Sequence, residues 1–153
     1  MLEAVPKSIF STNFRLQEQN LLLGEVDTSI WSEKAQLELE DGTYGLYRES
    51  LFSGDFILEH NGKVVARASK PSALKARFDV ELLNRHIVLS KVSIWNRRFA
   101  VFDGENQIGS IYPLGLFTRR ANIDLPAAWP LPIRIFLFWL VFLIWKRERQ
   151  TSA

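Results

Sequence analysis

The sequence predicts a mainly β protein: a closed antiparallel β-barrel of about ten to twelve strands, with a C-terminal hydrophobic helix buried in its centre. Three observations carry this expectation. Short segments with period-two alternation recur from residue 14 to residue 125 at the spacing of an all-β domain. Turn dipeptides such as Asp41-Gly42 and Asn61-Gly62 separate them. A run of eleven apolar side chains, Ile135 to Trp145, closes the chain. At 153 residues the chain fits one domain, expected over 1–153 and large enough to bury a core. It has no cysteine, which removes disulfides and thiolate zinc sites from consideration.

Phe14–Gln17 and Leu21–Glu25 are the first, weaker strand candidates. From Ala35 the alternation is plain: Gln36-Leu37-Glu38-Leu39-Glu40 sets leucines on one face and charge on the other, and Thr43–Arg48 returns after Asp41-Gly42. Asp55–His60 and Lys63–Ala68 flank Asn61-Gly62, the strongest short hairpin signal in the chain. Strands follow at Ala76–Leu83, His86–Val92, Arg98–Asp103, Gln107–Tyr112 and Phe117–Leu125. A weak internal repeat joins two of the pairs. Phe56 precedes Val65 by nine residues, as Phe99 precedes Ile108, and each second strand soon meets a proline and a leucine: Pro71 with Leu74, Pro113 with Leu116.

The tail breaks the pattern. Pro126, Pro130 and Pro132 end the strands, Pro132 suits a first helical turn, and Lys146-Arg147-Glu148-Arg149 sets cations where a helix dipole favours them. A helix over about 132–149 follows. It has no polar face between Ile135 and Trp145, so it needs enclosure on all sides, by a bilayer or by protein. Eleven residues span roughly 16 Å against a hydrocarbon core of about 30 Å, which favours the protein interior. A barrel of ten or more strands has room for such a helix. The alternative is a C-terminal transmembrane helix carrying a cytosolic β domain, a single-pass membrane protein, with Trp129 and Trp145 as interface anchors.

The units "FILEHNGKVVARASK" and "RFAVFDGENQIGSIYP", then "TRRANIDLP" and the apolar "IFLFWLVFLIW", resemble the tubby C-terminal superfamily with its LURP-one-related and phospholipid scramblase branches. The resemblance runs from about Ala35 to Trp145 and lies in order and pattern. It implies a barrel of about twelve strands around a central C-terminal helix. It also implies a non-catalytic domain that binds anionic phospholipid, or a protein partner at the membrane surface. The helix departs from that pattern in its aromatic content and in the cations beyond it. The expected localisation is cytoplasmic and peripheral at a membrane, since Met1 to Ser11 holds no apolar run of signal-peptide length.

Charge is unevenly distributed. Residues 1–60 hold 4 Lys/Arg against 11 Asp/Glu, whereas residues 61–153 hold 15 against 6. The split fits one acidic and one basic surface, the latter suited to phosphate, or simply solvated outer strand faces. Arg97-Arg98 and Arg119-Arg120 are the densest cations of the barrel segment. Neighbours on a strand face opposite ways, so each pair offers one arginine to a given surface. Arg98 and Arg120 are the candidate ligands of an anionic head group, with Trp95 or Tyr112 at the lipid interface. The alternative for these arginines is surface ion pairing with Asp103 or Asp124.

No other pattern points to chemistry. His60 and His86 lack partners at metal-ligand spacing, no serine sits in a nucleophile elbow, and Gly104 and Gly109 do not make a phosphate loop, so no metal or cofactor is expected. Asp55/Glu59 and Asp79/Glu81 read as solvated strand faces before an acid–base pair. Phe99, Phe102 and Phe117 read as packing residues, and no nucleic-acid motif accompanies the basic half.

Overall fold

The computed structural model describes residues 1–8, 12–28, 33–49, 54–115 and 119–151. They form twelve strands and one helix: β1 (Leu2–Pro6), β2 (Phe14–Glu18), β3 (Leu21–Thr28), β4 (Lys34–Leu39), β5 (Gly42–Arg48), β6 (Phe56–His60), β7 (Lys63–Ser69), β8 (Arg77–Leu82), β9 (Arg85–Lys91), β10 (Phe99–Asp103), β11 (Asn106–Pro113), β12 (Ala121–Asp124) and α1 (Leu131–Thr151). Each strand pairs antiparallel with its sequence neighbour. Pairing of β1 with β12 closes the barrel, so no edge is left open.

The expected barrel and its central helix are therefore present, with differences at the borders. The strand β1 lies before the expected start at residue 14. The last strand begins at Ala121 rather than at 117, of which residues 117 and 118, with Phe117 itself, lie outside the described residues, as does Leu116. Asn61 and Gly62 both have positive φ and form the expected turn. At Asp41-Gly42 the turn falls one residue earlier, on Glu40 and Asp41: Leu39 pairs with Gly42, which opens β5 at φ 125°.

The repeat is threefold. Phe14, Phe56 and Phe99 begin equivalent strands, 42 and 43 residues apart, and all three rings are buried. In each following hairpin the register shifts at the same place: after Leu16, Leu58 and Val101. The extra residue is Leu23, Val65 or Ile108, nine positions after its phenylalanine. A bulge re-aims the side chain it carries, and all three pack against the core. The residue after the bulge is small in every unit: Gly24, Ala66 and Gly109. A Cβ on Gly24 would lie 2.7 Å from the Glu38 carbonyl oxygen, and one on Gly109 would lie 2.5 Å from that of Asp124. The units are β2–β5, β6–β9 and β10–β12, the last completed by β1.

The helix fills the barrel. Every residue from Ile133 to Trp145 is buried. Phe14 meets Phe138 and Phe142 edge-on at 5.2 and 5.0 Å, and Phe56 meets Trp139 at 5.9 Å. The strands supply small inward side chains (Ala4, Ala35, Ala66, Ala68, Ala121) that make room for these rings. The transmembrane alternative is not what this segment forms. No helix among the described residues is long and apolar enough to cross a membrane, and the apolar run is sheltered by the chain's own sheet.

Candidate functional site

An up-and-down barrel puts alternate connections at opposite ends. Two-residue turns join β2–β3, β4–β5, β6–β7, β8–β9 and β10–β11 at the end where the helix enters. The longer connections lie at the other end, where the helix leaves. There the Trp145 indole Nε1 donates to the Arg97 carbonyl oxygen at 3.0 Å, and the Arg97 guanidinium lies over the Trp145 ring at 5.1 Å.

Three neighbouring connections on that rim stand apart chemically: 70–76, 92–98 and 114–120. With the strand residues Arg77 and Lys91 they carry eight Lys/Arg (Lys70, Lys75, Arg77, Lys91, Arg97, Arg98, Arg119, Arg120) and no Asp or Glu. They also hold bare apolar side chains: Leu74 is 97% exposed, Trp95 86%, Ile94 75%, and Val92 and Leu114 are exposed as well.

The helix tail adds charge at the same place. Partial burial lowers the pKa of Arg149, and the cations of Arg97 and Arg119 lower it further. Lys70 is lowered by burial and then by Arg147 and Arg48. Burial also lowers Lys146; Glu33 opposes that shift and Arg149 adds to it. In all three the largest cause is burial, with neighbouring cations adding to it. Two carboxylates offset part of this. Glu148 accepts from Lys91 and lies 3.9 Å from Arg97. Glu33 joins Arg48, at 3.1 Å, to Arg147.

The two sequence candidates lie on the adjoining outer wall. Arg98 donates from Nη2 to the buried Ser110 hydroxyl at 2.9 Å, and its guanidinium stacks on Tyr112 at 4.3 Å. Arg120 approaches Glu3 at 3.3 Å. Asn122 donates to the Tyr112 hydroxyl at 3.2 Å, so one wall joins the two arginines across β10, β11 and β12. Asp103 lies 3.7 Å from Arg85 instead. Sequence reasoning missed Arg97, Arg119 and Arg149 as a group. The signal was there in three acid-free connections, but the barrel order is what makes them neighbours.

The remaining candidates are structurally engaged. His60 stacks on Tyr44 at 4.0 Å and lies 3.1 Å from the Thr43 carbonyl. His86 is exposed on β9, and no group of three metal-ligating side chains occurs among the described residues. Asp55 accepts from Arg67 at 3.2 Å, Glu59 from the Tyr47 hydroxyl at 2.6 Å, and Asp79 from Arg77 at 3.1 Å. Phe99 is buried in the core. No family model, curated protein or solved structure matches the chain.

Proposed function

We propose that the protein is a non-catalytic, tubby-like barrel that docks its long-loop rim onto the anionic cytoplasmic face of a membrane. The observation that carries the reading is Trp95, exposed to 86% between Ile94 and the Arg97-Arg98 pair, on one of three adjacent acid-free connections. Indole rings favour the head-group region, isoleucine and leucine the acyl boundary, and arginine the lipid phosphates. The opposite end supports the same orientation: its five two-residue turns and their flanking strand ends hold Glu18, Glu40, Asp41, Asp103 and Glu105 against Lys63 and Arg85. An acidic rear and a basic front turn the front toward a negative surface before contact. A closed barrel around a C-terminal helix supports the tubby-like assignment, and a helix-filled interior leaves little room for a catalytic cavity there.

Vesicle flotation tests the reading. The chain is expected to float with phosphatidylcholine vesicles containing phosphatidylserine and not with phosphatidylcholine alone. Each cation near an anionic surface contributes about 1 kcal/mol, so neutralising Lys75, Arg119 and Arg149 to Gln weakens binding on the order of 100-fold. Reversal at Arg98 and Arg120 tests the adjoining wall. Equal binding to both vesicle types, or undiminished binding by the folded triple variant, ends the proposal.

A further inference from the structure

The far end of the barrel holds a feature that membrane docking does not use. A cleft of about 370 Å³ opens between the segment leading into the helix and the turns of the second repeat unit. Val65, Leu82 and Ile133 line it with carbon, while Tyr44, stacked on His60, and Trp129 supply flat aromatic walls. This volume lies at the small end of the range of about 300–1,000 Å³ typical of ligand sites. The floor includes the bulge residue Val65. The corresponding positions in the other two units, Leu23 and Ile108, line no part of the cleft. The difference comes from Trp129, Pro130 and Pro132, which cross this end of the barrel beside the second unit.

One cation sits at the cleft. Arg85 lies 5.8 Å above the Trp129 ring and only loosely faces Asp103, at 3.7 Å, with half of its side chain exposed. No Asp or Glu among the described residues lines the cleft, and the Tyr44 hydroxyl on its wall donates to Asp41 at 2.7 Å. The helix enters here with its positive end, and its first turn holds no acidic residue. Leu83, 85% exposed, stands at the lip without a packing role. An apolar trough with one half-exposed guanidinium at its edge, held only by a long ion pair, matches a molecule that is apolar along its length and anionic at one end.

We propose that this cleft binds a small anionic amphiphile, a monocarboxylate with an unbranched apolar chain, its tail along Val65, Leu82 and Ile133 and its carboxylate on Arg85. The site is separate from the long-loop rim, so the two readings stand or fall independently. The probe is decanoate, kept below its micelle concentration and added to the full-length chain while the five indole N–H signals are followed by 15N–1H NMR, with Trp129 assigned through Trp129→Phe. The Trp129 signal is expected to shift and saturate. Arg85→Glu, at an exposed position, is expected to weaken binding on the order of tenfold, the worth of one charge-assisted hydrogen bond. Decanol, of equal length and no charge, is expected to bind correspondingly more weakly. The proposal is overturned by an unmoved Trp129 signal, by equal binding of decanol and decanoate, or by undiminished binding to folded R85E. It is also overturned if Leu83→Glu dissociates a dimer in sedimentation equilibrium, since a second copy of the chain would then occupy the cleft.

Discussion

Replacing Trp139 tests the packing that holds the barrel open around its helix. Trp139 is 1% exposed, lies 6.1 Å from Phe136 and 5.9 Å from Phe56, and is the largest fully buried side chain. Trp139→Ala leaves a void in a closed barrel whose wall is fixed by strand pairing and cannot collapse freely. The cost is expected at the upper part of the range for such truncations, about 3–5 kcal/mol. For a domain of this size that lowers Tm by roughly 6–20 °C. Trp139→Phe behaves differently. The indole Nε1 is buried without a hydrogen-bond partner, a defect worth about 1–3 kcal/mol. Phenylalanine removes the stranded N–H along with part of the contact area, so the two effects oppose each other and the net cost stays below about 1.5 kcal/mol. Urea unfolding followed by circular dichroism measures both. An alanine variant within 1 kcal/mol of the parent would refute the buried-helix packing, and a phenylalanine variant as damaged as alanine would refute the cancellation.

Glycine positions give a contrasting pair. Gly109→Ala pushes a Cβ to within 2.5 Å of a backbone oxygen and 2.7 Å of Leu125 Cδ2, and is expected to cost about 1–3 kcal/mol, whereas Gly45→Ala meets nothing within 4 Å and is expected to be neutral or slightly stabilising by thermal melt. Acid stability tests Glu33. Burial alone would raise its pKa, but Arg147 and Arg48 outweigh burial and hold it below its ordinary 4.5. A depressed folded-state pKa gives stability that is present above the unfolded value and lost as pH falls through the folded one. Tm of the parent should therefore fall more steeply below about pH 4.5 than Tm of Glu33→Gln, and parallel curves would contradict the assignment.

Sequence reading recovered what local pattern encodes. Alternation and turn chemistry located eleven of the twelve strands, and Asn61-Gly62 sits where its positive-φ tolerance predicts. The strand β1 escaped because Leu2-Glu3-Ala4-Val5-Pro6 is short, ends in proline and closes the barrel on a partner at the far end of the chain, Leu2 pairing with Ile123 and Ala4 with Ala121. The third copy of the repeat was hidden for a similar reason. Its turn is Gln19-Asn20 rather than a glycine dipeptide, though both residues adopt positive φ, and three consecutive leucines mask a bulge at Leu23. At the rim, strand alternation singled out Arg98 and Arg120. All four arginines of the two pairs precede their strands, which begin at Phe99 and Ala121, so alternation does not divide them, and the approach of Arg97 and Arg119 to Arg149 in the helix tail is visible only once the barrel is closed.

The chain has no cysteine, so one introduced thiol carries a spin label without interference. Labels at Leu74→Cys, on the long-loop rim, and at Lys63→Cys, at the acidic end, should be compared by electron paramagnetic resonance as phosphatidylserine-containing vesicles are added. Membrane docking predicts that the label at 74 gains oxygen accessibility and loses contact with a water-soluble nickel relaxant, while the label at 63 stays in water. Two labels equally unaffected, or entry at position 63 instead of 74, would contradict docking through this rim.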